Sequence, residues 1–252
     1  NIYKKINYEN YKIFISNYGS DIYYFGKISK HNKKITKLLS FSDLCISESK
    51  RDIEIIKKIN PKIKQKMIPN SGGFKKQSKY LKTSSRKCVV IKGYNSQFGR
   101  LNLILKYLKK NKNIFRKIPL YFYSVDRITQ FILNLKLYNF DYTVIANSNK
   151  SDLMKFFLKS KIYIGASISD GMSTSALDAV NHRTLPLQSD SSSINEIVNN
   201  KFIYNLYDEN DFIKKFVFLY NLKKKADIFS EKNYNNLMRI FNKEKVKKEI
   251  NI

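Results

Sequence analysis

The chain contains no tryptophan, only two histidines, two cysteines, four prolines and eight glycines among its 252 residues. Cys45 and Cys88 lie in separate apolar, strand-like runs with no C-x-x-C between them, so they read as buried free thiols in a reducing compartment. His31 and His182 have no ligand-spaced neighbours, which argues against a metal cluster. No apolar run approaches the roughly 20 residues that cross a bilayer. The start, Asn1-Ile2-Tyr3-Lys4-Lys5, carries neither an initiator Met nor a secretory apolar region, which suggests a fragment or processed product located in the cytoplasm. Acidic residues are also scarce: 20 Asp and Glu face 48 Lys and Arg, a net charge of +28.

Such a charge raises the question of nucleic acid. Only seven of the cations are arginines, and the lysines run through every segment without gathering into a stripe with interleaved aromatics. Abundant Lys, Asn, Ile, Tyr and Phe beside scarce Gly, Pro, Ala and Trp is the bias of AT-rich coding. The charge therefore reads first as a solvated surface and second as a means of touching an anionic membrane at its inner face, where each Lys near lipid contributes about 1 kcal/mol. No specific nucleic-acid partner is expected.

Strand-like and helix-like segments alternate throughout, the pattern of an α/β protein with parallel sheets. Strands are predicted at 11–17, 43–47 and 65–69, with helices at 27–40 and 48–58. A polar, Ser- and Lys-rich stretch at 76–85 reads as a linker after a first domain of residues 1–75. The second domain, 86–228, opens on the buried strand Cys88-Val89-Val90-Ile91. It continues through helices near 100–110, 126–138, 151–159, 174–182 and 193–200, with strands at 119–124, 142–146, 161–168, 184–188 and 202–205. Two terminal helices follow, and residues 229–252 are expected to pack back on the first domain. The second domain has the size of one Rossmann-like unit; the first, at about 75 residues, is partial.

One junction concentrates the chemistry. The apolar run 162–168 leads into Ser169-Asp170-Gly171-Met172-Ser173-Thr174-Ser175, and Asp178 follows eight positions after Asp170. A helix start rich in Gly and Ser offers unpaired N–H groups and the positive end of a dipole, a seat for phosphate. Flanking carboxylates can hold sugar hydroxyls. A capping role for Ser175 with Asp178, or a simple N-cap among residues 173–175, is the structural alternative. Ser193-Ile194-Asn195-Glu196 has the spacing of a capping box. Gly19-Ser20-Asp21 closes the first strand, where ligands bind open α/β sheets, and an Asx-type turn is the competing reading.

Taken in order, Asn17-Tyr18-Gly19-Ser20-Asp21, Ser42-Asp43-Leu44-Cys45-Ile46-Ser47, Ile68-Pro69-Asn70-Ser71-Gly72-Gly73, Asp170-x7-Asp178, Leu185-Pro186-Leu187 and Ser191-Ser192-Ser193 resemble the retaining glycosyltransferases of family 4, which have the GT-B fold and an E-x7-E motif at this junction. The resemblance implies a complete C-terminal nucleotide-sugar domain joined to a truncated amino-terminal one. It also implies transfer of a sugar, with retention and without a metal or other cofactor, from a nucleoside-diphosphate sugar to a glycan or lipid-linked hydroxyl. Asp170 would contact the donor sugar and Asp178 the ribose. Gly171, Ser173, Thr174, Ser175 and Gly93 would hold the donor, Lys92 and Arg100 would neutralise the leaving diphosphate, and Gly19, Ser20 and Asp21 would face the acceptor. This chain departs from the pattern in having Asp for both acids and Arg183 where a helix-ending Gly is usual. A non-catalytic nucleotide-sugar or carbohydrate-binding protein of the same fold is the alternative; an epimerase would need cleft histidines, and a nucleic-acid module is supported by charge alone.

Overall fold

The computed structural model describes residues 11–78, 80–135, 140–145 and 149–250. The first unit is a parallel three-stranded sheet, β1 (Phe14–Ser16), β2 (Leu44–Ser47) and β3 (Lys64–Met67), in that order. Helices α1 (Ser20–Tyr23), α2 (Ser29–Ser40) and α3 (Lys50–Ile59) connect and cover it. Its core is small: Ile22, Leu39, Cys45, Ile56 and Ile63. Ser49 caps α3 by accepting from the Asp52 N–H.

The second unit carries β4 (Cys88–Lys92), α4 (Leu101–Lys110), α5 (Lys112–Phe115), β5 (Leu120–Tyr123), α6 (Arg127–Asn134), β6 (Tyr142–Ile145), α7 (Lys150–Lys159), β7 (Ser160–Gly165), α8 (Thr174–Asn181), β8 (Leu185–Ser189) and β9 (Ile203–Tyr204). Its six strands are all parallel, in the order β6-β5-β4-β7-β8-β9. β4 and β7 are central and buried, which explains why both read as continuous apolar runs rather than alternating ones. On α4, Leu101, Ile104, Leu105 and Leu108 fall at helical spacing and are all buried. Parallel, helix-covered Rossmann-like sheets were the architecture expected from the alternation of elements.

Some expectations need correction. The helix predicted over 193–200 is two 3-10 turns, Ser193–Glu196 and Asn200–Phe202. Ser192 and Asn199 turn their side chains onto the N–H groups of Ile194 and Lys201, a local bonding pattern that competes with α-helix. The strand expected to reach 168 ends at Gly165, because the Ser167 N–H donates to Ser189 Oγ and the Ile168 N–H to Phe98 O, outside the sheet. Three helices, not two, end the described chain: α9 (Glu209–Tyr220), α10 (Lys225–Phe241) and α11 (Lys243–Ile250). Position 228/229 falls inside α10; the chain breaks instead at Asn242, whose extended backbone stops the helix and whose Oδ1 accepts from Glu244 N. Phe74 N–H donates to Phe241 O, Lys243 N–H to Phe74 O, and Lys66 Nζ to Glu249 O, so α11 lies against the first unit. Residues 136–138, in the helix expected over 126–138, and residue 146, at the end of the expected strand, lie outside the described residues.

Arg183 stands in the left-handed conformation, φ 56°, just past α8. A Gly would adopt that geometry without strain. Here the guanidinium lies between the rings of Tyr80 and Tyr234, 3.6 and 3.7 Å from their centroids, and Nε donates to Glu231 Oε2 at 2.6 Å. These contacts offset the backbone strain. Arg183→Gly is therefore expected to destabilise the protein by about 1–2 kcal/mol despite its easier backbone. Arg183→Ala, which loses the contacts and keeps the strain, should be about 1 kcal/mol worse than Gly. Urea denaturation of the two variants measures that difference directly.

Candidate active site between two parallel sheets

The carboxyl ends of β4 and β7 meet the start of α8 at a cavity of about 240 Å³. Lys92, at the end of β4, and Asp170, five residues beyond β7, both line it. Desolvation pushes the Asp170 carboxyl above its ordinary range, and the charges of Lys92 and Arg51 oppose that rise. Ser173 occupies the N-cap position of α8, yet no side chain caps that helix start. Ser173 lines the cavity, with its hydroxyl near the Asp170 carboxyl.

Tyr163, Ser169, Ser173 and Gln188 line the cavity, and each carries a buried polar atom that makes no close hydrogen bond among the described residues, although the Ser173 hydroxyl lies near both the Asp170 carboxyl and the Tyr163 hydroxyl. Buried polar groups are nearly always satisfied, and leaving one unmade costs about 1–3 kcal/mol. Three hydroxyl residues and an amide, beside Asp170 and Lys92, give the cavity a polar wall. Gly165 makes room for two of them. A Cβ there would stand 2.0 Å from Gln188 Oε1 and 2.6 Å from Tyr163 Oη.

The roof is the loop from Tyr94 to Arg100. Gly99 pairs with Ser167, Arg100 N–H donates to Ala166 O, and Phe98 packs edge-on against Tyr24 of the first unit, with centroids 5.4 Å apart. Tyr94 and Phe98 close the cavity from above.

The first unit is locked against this corner. Gly19, at φ 76°, is so close that a Cβ would stand 2.2 Å from Gly171 N. Arg51 Nη2 donates to Asp170 O at 2.7 Å and Nη1 to Ser191 O at 2.9 Å, while its guanidinium stacks on Tyr23, 3.8 Å from the centroid. Glu196 accepts from the N–H groups of Lys50 and Arg51, thereby capping α3 across the junction. That is the fate of the acid in the predicted 193–196 capping box. Glu48 Oε1 accepts from Asn70 N–H, and its other oxygen lies against Gly171. Burial pushes Glu48 up to about 7; its backbone hydrogen bonds oppose this, and the charges of Asp170 and Asp52 add to it.

Of the expected site residues, the fold brings Asp170, Lys92, Ser173 and Ser20 to one cavity. Ser175 sits just behind it, near the Tyr123 and Tyr163 hydroxyls. Thr174 is exposed at the start of α8, and Asp178 is buried about one turn along it, off the cavity wall. Gly171 gives its close approach to the Gly19 backbone. Gly93 packs under Val125, and its N–H donates to Tyr123 O. Arg100 Nη1 donates to the carbonyls of Ser96, Gln97 and Gly99, so it shapes the roof rather than facing the cavity. Asp21 accepts from Tyr18 N–H, three residues back, and the Asx-type turn here is made by Asn17, whose Oδ1 accepts from Gly19 N–H. Glu48, Arg51, Tyr163 and Gln188 were not singled out from the sequence. Glu48 directly follows Ser47 at the end of β2, and that position was the one available signal.

Among the described residues no group of three His, Cys, Asp or Glu side chains is placed to hold a metal ion, and no helix is long and apolar enough to cross a membrane.

No family model and no curated protein matches the sequence. Solved structures do match the fold. S. aureus TarM, solved as a point mutant in complex with fondaparinux, α-GlcNAc-glycerol and UDP, superposes with a TM-score of 0.77 at 16% identity, over 98% of this chain and 52% of its own. Sucrose-phosphate synthase from Thermosynechococcus elongatus gives 0.78 at 11% identity, over 99% and 68%. The chain has the GT-B fold. A trehalose-6-phosphate protein of E. coli bound with UDP-2-fluoro glucose gives 0.66 at 13% identity, over 90% and 63%. The chain thus spans about half the length of TarM.

Proposed function

We propose that this chain acts as a retaining glycosyltransferase of family 4, moving a sugar from a nucleoside-diphosphate donor to a glycan or lipid-linked hydroxyl without a metal. The observation that carries the reading is the cavity at the uncapped start of α8, where Asp170 and Lys92 stand among the polar residues Tyr163, Ser167, Ser169, Ser173 and Gln188. A volume of about 240 Å³ lies just below the roughly 300–1,000 Å³ of drug-sized pockets, the scale of one sugar ring. Asp170 accepts hydrogen bonds from sugar hydroxyls. The α8 start and Lys92 stabilise negative charge as the diphosphate departs, the kind of preorganised electrostatic term that often dominates catalysis. No protein base is assigned; the departing phosphate takes the acceptor proton. The ribose role of Asp178 rests on its place in the motif. Cytoplasmic residence, with contact at an anionic membrane face, remains part of this proposal.

UDP in the TarM complex and UDP-2-fluoro glucose in the E. coli one make uridine nucleotides the first ligands to test. Calorimetry is expected to show UDP and UDP-glucose binding at micromolar to millimolar concentration, unchanged by chelator. Lys92→Ala should weaken UDP by about tenfold, the loss of one charge-assisted contact of about 1.5 kcal/mol. No binding at millimolar nucleotide would refute the donor site. The inward turn of Arg100 leaves Lys92 as the only cation lining this cavity among the described residues, which favours the second reading, a non-catalytic nucleotide-sugar binder. Binding without any transfer or donor hydrolysis would select it.

A further inference from the structure

Arg51 lies in the first turn of α3, on the first unit, yet its two terminal nitrogens serve the second. Nη2 donates to Asp170 O and Nη1 to Ser191 O, so one guanidinium ties together the turn before α8 and the turn after β8. Arg51 does not itself line the donor cavity. We propose that Arg51 is a positioning residue: by holding the Asp170 carbonyl it aims the Asp170 carboxylate at the donor sugar. The inference rests on the glycosyltransferase reading above and gives the first unit a task in donor recognition.

Three observations carry it. The first is where the bond falls. The carbonyl and the side chain of Asp170 hang from one Cα, so fixing the peptide plane after Asp170 fixes the base from which its carboxylate reaches. Gly171 follows, with no Cβ to restrict that plane. Gly171 O accepts from Ser193 N–H and Ser192 Oγ within the second unit. Arg51 thus holds the plane before Gly171, and Ser192 and Ser193 hold the plane after it.

The second is that Arg51 is set in advance by its own unit. Nε donates to Asp52 Oδ1 at 3.0 Å, and the guanidinium stacks on Tyr23. With one edge and one face occupied, the planar fork has a single orientation in which to meet the two carbonyls. A lysine carries the same charge but has no such fork.

The third is charge. Desolvation and the neighbouring Glu48 at the end of β2 oppose the ionised form of Asp170. Lys92 of β4 and Arg51 of α3 favour it, with hydrogen bonds from Ser173 and from Gly171 N–H. Around Arg51 itself stand Asp52, Asp21 beside Asp52, and Glu196, which accepts from the Arg51 N–H. An ionised carboxylate is acceptor-only and suits the hydroxyls of a sugar. Loss of Arg51 therefore frees the peptide plane and moves the titration of Asp170 up together.

The test is calorimetry on the full chain with UDP and with UDP-glucose, for the wild type, Arg51→Lys and Arg51→Met, from about pH 5 to about pH 8. UDP lacks the sugar that Asp170 holds. Arg51→Lys keeps the charge and loses the fork, so it should bind UDP-glucose about tenfold more weakly while binding UDP as the wild type does. In Arg51→Met the pH at which UDP-glucose affinity falls off on the acid side should move up, whereas in Arg51→Lys it should stay in place. Equal losses for the two ligands, including loss of both through unfolding, would show a merely structural contact and overturn the proposal. An unchanged UDP-glucose affinity in Arg51→Lys, or an unmoved acid limb in Arg51→Met, would overturn it too. Wild-type protein that binds neither ligand would overturn the donor reading with it.

Discussion

Gly19→Ala is expected to lower stability by about 2–5 kcal/mol and to weaken nucleotide binding more than tenfold. Gly19 sits at φ 76°, and the added Cβ would lie 2.2 Å from Gly171 N and 2.3 Å from Gly171 Cα. Both are backbone atoms, so no side chain can swing aside. The left-handed conformation costs roughly 1–2 kcal/mol for a residue with a Cβ, and overpacking typically adds 1–3. The chain must relieve the clash by moving the first unit off the 170–172 turn. That motion stretches the hydrogen bond from Arg51 to Asp170 O and the seat of Glu48 together. Gly26→Ala is the control, since its Cβ would meet nothing within 4 Å. Urea denaturation and UDP titration of both variants decide the matter. If Gly19→Ala behaves like Gly26→Ala, the junction is not the tight contact described here.

The second large effect is one of pH. Glu48 is 4% exposed and rises from 4.5 to about 7 in the fold. A carboxyl with a raised folded pKa favours the native state while protonated. Its contribution is fully present below about pH 4.5 and is lost as pH climbs through about 7. The shift corresponds to at most about 3 kcal/mol across that window. Asp170 and Asp52, also raised by burial, push in the same direction, while Arg51 opposes them. Glu48→Gln mimics the neutral carboxyl. Compared with the wild type, it should gain relative stability steadily from pH 4.5 to 8 and flatten the pH profile. Two parallel profiles would show that Glu48 ionises as it does in water.

Much of the architecture was legible from residue patterns. Val89–Ile91 and Ile162–Ile164 are continuous apolar runs because a central parallel strand is covered on both faces, and the alternation with amphipathic helices such as α4 follows from the same burial. Asp170, Ser173 and Lys92 were legible because strand ends and helix starts are where an open α/β sheet leaves backbone and side-chain groups unpaired. Arg183 was legible as a strained position from its place after α8.

What the sequence could not contain is which groups consume one another's bonding capacity. Glu196 has capping-box spacing, but its carboxylate goes to α3 of the other unit, because two unpaired N–H groups there are better partners than its own short 3-10 turn. Arg100 looked free for phosphate until its own loop carbonyls took it, and Gly171 serves a backbone contact with Gly19 that lies 152 positions away in sequence. Local order arises from periodicities of 2 and 3.6 residues, which any stretch of chain displays. The partners of Glu48, Arg51, Tyr163 and Gln188 are set by contacts between distant segments, and only the packed fold decides those.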